Sequence, residues 1–287
     1  MCMASRNFKV VIAFVLFYVS PLCGVTFAQD ITEYVSKGIA LLDKGDLKNA
    51  ASQFGQVVSY DEDNIFAHSQ LGLIYAKIGE AGKAFEEFSL VKKLSPRDTY
   101  ARLWLGIIYL RAESIDDAFR EFQGIIAIDP HNADAHYFMG AIYSFRHDAK
   151  NAILSLNKAK ESDSDDPDTH FRLAESYRGA EMIENAMLEY KKTLELKPDY
   201  LKAYNGMGWL YYNRGEQEKA IELWRKALKL NPGSQEAQFS LARAHNDQAL
   251  SYYARGKASK AVQEWRQTLK VDPRNKAALY YMKQVKK

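Results

Sequence analysis

Small and large apolar residues return along this chain at a fixed spacing. From Ile31 to Ser234 the pattern recurs every 34 residues, six times without a gap. With positions counted 1 to 34 from Ile31, position 8 is Gly38, Gly72, Gly106, Gly140, Ala174 and Gly208. Position 20 is alanine in every copy: Ala50, Ala84, Ala118, Ala152, Ala186 and Ala220. Position 11 is Leu41 and then Tyr75, Tyr109, Tyr143, Tyr177 and Tyr211, while position 24 is Phe54, Phe88, Phe122, Leu156, Tyr190 and Trp224. Helices approach closely only where glycine or alanine removes bulk, and a large ring fills the space beside such a contact. Breaks fall between these positions. Gly45, Gly79 and Gly215 stand at position 15, where glycine can take the left-handed conformation that ends a helix. Pro96, Pro130, Pro198 and Pro232 stand at position 32, where a helix cannot continue. Each unit therefore reads as helix, turn, helix, turn.

The seventh unit departs from this register. Ala249, Tyr252, Gly256, Ala261, Trp265 and Pro273 fit positions 8, 11, 15, 20, 24 and 32 only if seven residues have been inserted before them. Seven residues make about two helical turns. Phe239, Leu241 and Ala242 keep the segment apolar, so the pattern predicts a lengthened first helix from about Ser234 to Ala254, with its extra turns projecting. Residues 276–287, with Ala277, Leu279, Tyr280 and Val285 among lysines, read as a capping helix.

In this combination of small residues at 8 and 20, aromatics at 11 and 24 and proline at 32, the chain resembles the tetratricopeptide-repeat (TPR) family. The resemblance implies an all-α, right-handed α-solenoid of about seven helix–turn–helix units with a C-terminal capping helix. A single unit cannot bury its apolar face alone, and stacking buries it. The expected organisation is a leader over 1–28, repeats over 31–64, 65–98, 99–132, 133–166, 167–200, 201–234 and 235–275 within a solenoid spanning 29–275, and a cap over 276–287.

The leader is set apart by composition. Arg6 and Lys9 precede an uncharged apolar run from Val10 to Val19, and Thr26-Phe27-Ala28 ends in small residues. This is the pattern of a secretory signal peptide, with cleavage expected after Ala28. The run is too short for the roughly 20 residues of a membrane-spanning helix. Membrane association is expected only through an uncleaved leader, lipid modification at Cys23, or a partner. Cys2 and Cys23 both lie in this segment, so the mature chain has no thiol for a disulfide, a nucleophile or a metal ligand. An exported, periplasmic or envelope-associated location follows.

Thirty-nine basic residues against 36 acidic ones leave a net charge of +3, with lysines scattered along the chain. Nothing in that balance marks a nucleic-acid-binding surface. The acidic run Glu161–Asp168 lacks the glycine and the closing glutamate of a calcium loop and reads as a solvated turn leading into a helix. His68, His136 and His170 share position 4, and His245 takes it in the shifted seventh repeat. Recurrence at one position points to packing, and rings a full repeat apart cannot share a metal. GxSxG, HExxH, GxxxxGK[ST] and GxGxxG are all absent from the sequence. No cofactor, metal or catalytic residue is assigned, and the chain reads as a non-enzyme.

In TPR proteins, positions 2, 5, 9, 12 and 13 of the first helix face a groove that holds partners. Carried onto this chain, with neighbours at position 6 included, the resemblance implies a groove of Tyr100, Trp104, Ile107, Arg111, Tyr137, Phe138, Phe145, Phe171, Arg172, Arg178, Trp209, Tyr212 and Asn213. Exposed aromatics beside arginine are common binding anchors. The competing expectation is that some of these rings are buried between neighbouring repeats. No repeat has the lysine and asparagine pair, at positions 5 and 9, with which some TPR domains clamp chaperone tails. The function expected is a scaffold for protein or peptide partners in a bacterial envelope. Alternatives are head-to-tail self-assembly through the seventh repeat and an accessory role to an envelope enzyme or secretion machine.

Overall fold

A computed structural model describes residues 24–285, and the chain divides between Ile108 and Tyr109 into two compact units. All regular elements among the described residues are helices. The first unit contains α1 (Gly24–Asp43), α2 (Leu47–Tyr60), α3 (Ile65–Ile78), α4 (Ala81–Leu94) and most of α5 (Thr99–Arg111). The second contains α6 (Ile115–Ile128), α7 (Ala133–Phe145), α8 (Ala149–Ser162), α9 (Pro167–Gly179), α10 (Ile183–Leu196), α11 (Leu201–Asn213), α12 (Gln217–Leu230), α13 (Gln235–Ala254), α14 (Ala258–Val271) and α15 (Lys276–Val285). In each unit a helix packs on its partner within the repeat and on the following repeat, as in α1 with α2 and α2 with α3, or α11 with α12 and α12 with α13. We call the two helices of a repeat A and B.

The small-against-large reading has a direct geometric counterpart. A Cβ added to Gly38 would stand 2.8 Å from the ring of Phe54, one on Gly72 2.9 Å from Phe88, and one on Gly208 2.5 Å from the indole of Trp224. The alanines at position 20 are fully buried, as are Phe54, Phe88, Phe122, Leu156, Tyr190, Trp224 and Trp265. Position 15 goes further than its glycines suggest. Glu113, His147 and Glu181 adopt positive φ of 59°, 58° and 59°, as Gly45, Gly79, Gly215 and Gly256 do. The turn between A and B thus needs a left-handed residue in every repeat, whether or not glycine supplies it.

Helix α13 has 20 residues where the other A helices from α3 to α11 have 13 or 14. Its two neighbours read it in different registers. Towards α14, Thr268 Oγ1 donates to the Ala242 carbonyl at 3.5 Å near the end of that helix, so Gln235–Leu241 extend past it. Towards α11, Asn205 Nδ2 donates to Glu236 at 2.9 Å, which places those first turns against the preceding repeat. The inserted turns therefore overhang α14 and pack on repeat six.

Among the described residues no helix is long and apolar enough to cross a membrane. The apolar run Val10–Val19 and both cysteines lie outside the described residues. Helix α1 begins at Gly24, so Ala28 falls within its first two turns.

Candidate functional site

The A helices carry the candidate residues, and the two units present them separately. In the first, Trp104 stacks on Phe88 with ring centroids 5.8 Å apart and planes at 3°, and Tyr100 meets both rings edge-on. Trp104 is half-buried and its Nε1 has no partner, so the ring belongs to the packing of this unit; Tyr100 is 38% exposed and Ile107 half-buried.

In the second unit the residues fall into three groups. Tyr137 is 7% exposed, Phe138 stacks on Phe122 at 4.9 Å, and Phe171 is half-buried against Tyr190 and Tyr200. These rings are chiefly core, because Phe138 and Phe171 pack on B-helix rings, and Tyr137 is engaged within the chain: Arg172 Nε donates to its hydroxyl at 2.6 Å and the guanidinium lies 4.9 Å from its ring centroid. Arg111, Asn213 and Phe145 are exposed, Phe145 to 69%. Arg178 is held by Glu175 at 2.5 Å, which pushes the guanidinium still further above its ordinary value.

The third group lies between α11 and α13. Trp209 and Tyr212 meet edge-to-face at 5.4 Å, and the Arg243 guanidinium lies 5.5 Å and 5.6 Å from their centroids. The Tyr212 hydroxyl donates to Asp247. Burial, and then this carboxylate, push that hydroxyl above the ordinary tyrosine range. One turn before Arg243 on α13, Phe239 stands 64% exposed, and on α11 Lys202 is exposed at the other end of the Trp209 stripe. Two helices thus assemble an aromatic and cationic ledge with an open phenyl ring at its edge. Sequence reasoning identified Trp209 and Tyr212 but missed Arg243, Asp247 and Phe239, because the seven-residue insertion was aligned only towards α14. Read from Gln235 instead, Phe239 and Arg243 occupy positions 5 and 9.

Consecutive A helices are joined by polar pairs: Tyr137 with Arg172, Ser144 Oγ with Ser176 Oγ at 3.0 Å, Asn205 with Glu236, and Tyr212 with Asp247. Tyr200, at the start of α11, adds a bond from its hydroxyl to Asp168 at 2.6 Å. In the acidic run, Asp166 caps α9 ahead of Pro167, accepting from Thr169 N at 3.2 Å. Among the described residues no three His, Cys, Asp or Glu side chains are placed to hold a metal.

The position-4 histidines are buried; His136 meets only the Pro130 carbonyl, at 2.9 Å, and the other three clip A to B. His68 Nδ1 lies 2.5 Å from Glu87, His170 Nδ1 2.5 Å from Glu189, and His245 Nδ1 2.7 Å from Glu264, each across 19 residues. The other ring nitrogen of His170 meets the Ser164 carbonyl at 2.9 Å. Burial alone would lower the His170 value, but Glu189 and that carbonyl outweigh it and hold the ring above the ordinary histidine range.

Family models of the tetratricopeptide repeat match residues 84–133, 201–234 and 246–281. Those three segments carry the repeat that defines tetratricopeptide-repeat proteins. Such proteins act as protein–protein interaction scaffolds, and the fold is typically non-enzymatic. A search of curated protein sequences finds no match. Among solved structures, the C-terminal part of a TPR protein from Cytophaga hutchinsonii is 17% identical, with a TM-score of 0.68 over 85% of this chain and 98% of that one. Pseudomonas aeruginosa PilF is also 17% identical, with a TM-score of 0.60 over 78% and 98%. YrrB, a TPR protein with an unusual peptide-binding site, is 19% identical, with a TM-score of 0.56 over 66% and 98%. At these identities the likeness is one of fold.

Proposed function

We propose that this TPR protein is a non-enzymatic scaffold of the bacterial cell envelope that holds a protein or peptide partner against the A-helix ledge of α11 and α13. The ledge itself carries the reading. Phe239 is 64% exposed one turn before Arg243 on α13, and Arg243, Trp209 and Tyr212 are fixed by ring contacts and by the Tyr212–Asp247 bond. Aromatic and arginine side chains already held in place lose little conformational freedom on binding, and such residues dominate interface energies. Peptide recognition has been described on another chain of this fold, YrrB. The envelope location is supported by the leader pattern, with Arg6, Lys9 and the Val10–Val19 run.

The decisive experiment is partner capture from an envelope extract with the wild-type protein and a Phe239→Ala/Arg243→Ala variant of unchanged helicity. A Leu154→Ser/Leu188→Ser variant on the exposed B-helix side serves as control, since both leucines are exposed there. A partner lost by the ledge variant and kept by the control supports the assignment. The reverse result moves the function to the B helices. Sequencing the N-terminus of the envelope-fraction protein tests export, which predicts a mature chain starting at Gln29.

A further inference from the structure

The histidine clips of repeats five and seven are built alike and differ in one neighbour. Both ring nitrogens of His170 face acceptors, the Glu189 carboxylate and the Ser164 carbonyl, so a doubly protonated ring satisfies the site. His245 is 4% exposed, and its Nδ1 faces Glu264 of α14 in the same way. Its Nε2, however, faces Arg225 Nη2 of α12 at 3.4 Å. Arginine can only donate, so Nε2 must accept and the ring must be neutral. The only charged residue of α11, the remaining helix packed here, is Lys202, which is exposed. On α13 itself, Asp247 is taken up by Tyr212, and Arg243 lies over Trp209 and Tyr212.

We propose that His245 is a proton-operated latch between repeats six and seven: neutral, it ties α13 to both α12 and α14; protonated, it turns a second donor on Arg225 and loosens α13–α15 from α12. Burial holds His245 below the ordinary histidine value of 6.5, outweighing Glu264. The sign follows: a depressed value means that the loosened state takes up the proton first, so docking is complete above pH 6.5 and is lost as the pH falls through the depressed value. Because α13 brings Arg243 and Phe239 to the ledge, acidification would also take the ledge apart. That consequence rests on the proposed function, whereas the latch does not.

Hydrogen exchange of the full-length protein, read by mass spectrometry and corrected for intrinsic rates, tests the latch at about pH 8 and about pH 5.5, on either side of the ordinary histidine value. Protection across 235–285 is expected to fall on acidification, approaching about tenfold at about pH 5.5, one unit below the ordinary histidine value, while α9 and α10 keep theirs. Two variants should abolish the response: Arg225→Gln, which removes the repelling charge from an exposed side chain, and His245→Gln, whose amide can donate to Glu264 and accept from Arg225 without titrating. Unchanged protection in the wild type, a uniform loss along the chain, or a response that persists in both variants would overturn the proposal. Because none of these readings uses a partner, they fail or succeed independently of the ledge assignment.

Discussion

The seam between A and B helices within a repeat and the ladder between successive A helices are made of different chemistry. The seam sets glycine or alanine against a fully buried ring, as at Gly72 and Phe88 or Gly208 and Trp224. The ladder sets hydroxyls, amides and guanidinium groups against one another, with half its members in reach of solvent, as in Tyr212 with Asp247 and Arg243 over Trp209. Close packing tolerates few substitutions, so the seam repeats. The ladder requires only that each pair be satisfied, and it changes at every step. The seam therefore makes the fold and the ladder makes the surface.

The largest effect is expected at the seam. Trp224→Ala removes a fully buried ring that contacts Gly208, Trp209 and Tyr212, and should cost about 3–5 kcal/mol in chemical denaturation. Next comes the buried ion pair. Glu189 accepts from His170 and from Lys160 at 2.8 Å, and Glu189→Ala leaves both cations facing a site from which the carboxylate has gone, at a cost of about 3 kcal/mol. This pair also has a pH signature. Burial would raise Glu189, but His170 and Lys160 outweigh it and lower it from 4.5, so its contribution is present above that value and lost as acid protonates it. His170 is raised from 6.5, so its contribution is complete below that value and lost as base deprotonates it. Stability from the pair should therefore peak between 4.5 and 6.5 and flatten in Glu189→Gln, as a pH series of denaturation midpoints would show. The ladder should be weaker. Tyr212→Phe deletes a single part-exposed bond to Asp247, and a loss of about 1 kcal/mol is expected in the same assay.

What was legible in the sequence divides along the same line. Position 8, position 20 and the aromatic positions recur at 34 residues because one packing problem is solved at each step, and the helices follow from them. The left-handed turn was legible where glycine stands and hidden at Glu113, His147 and Glu181, since those residues carry the strain without announcing it. Mutating Glu181 to Gly should relieve it and raise stability by about 0.5–1 kcal/mol. The histidine clips were half legible: position 4 repeats visibly, but its carboxylate partner 19 residues on becomes meaningful only once both are seen across the A–B turn. The ladder had no recurring signal. Tyr137 with Arg172 joins position 5 to 6, and Ser144 with Ser176 joins 12 to 10, so no periodicity could reveal it. The same blindness let Tyr137 and Phe138 look like open anchors when their rings fill the space between repeats.

The smallest expected effect on stability is also the sharpest test of the division. Phe239 is 64% exposed on the overhanging turns of α13, so Phe239→Ala removes little buried contact and should change folding stability by less than about 0.5 kcal/mol. If the ladder surface is where partners dock, the same substitution should weaken binding by about 2 kcal/mol, roughly thirtyfold, since an aromatic anchor is lost from the contact. Phe88→Ala, which removes a fully buried seam ring of the first unit in ring contact with Tyr100 and Trp104, should do the opposite at moderate temperature, lowering stability severely while any folded fraction still binds. Measuring both quantities on both variants forms a two-by-two comparison, and equal effects of Phe239→Ala on stability and binding would mean that the overhang is part of the fold and not of the surface.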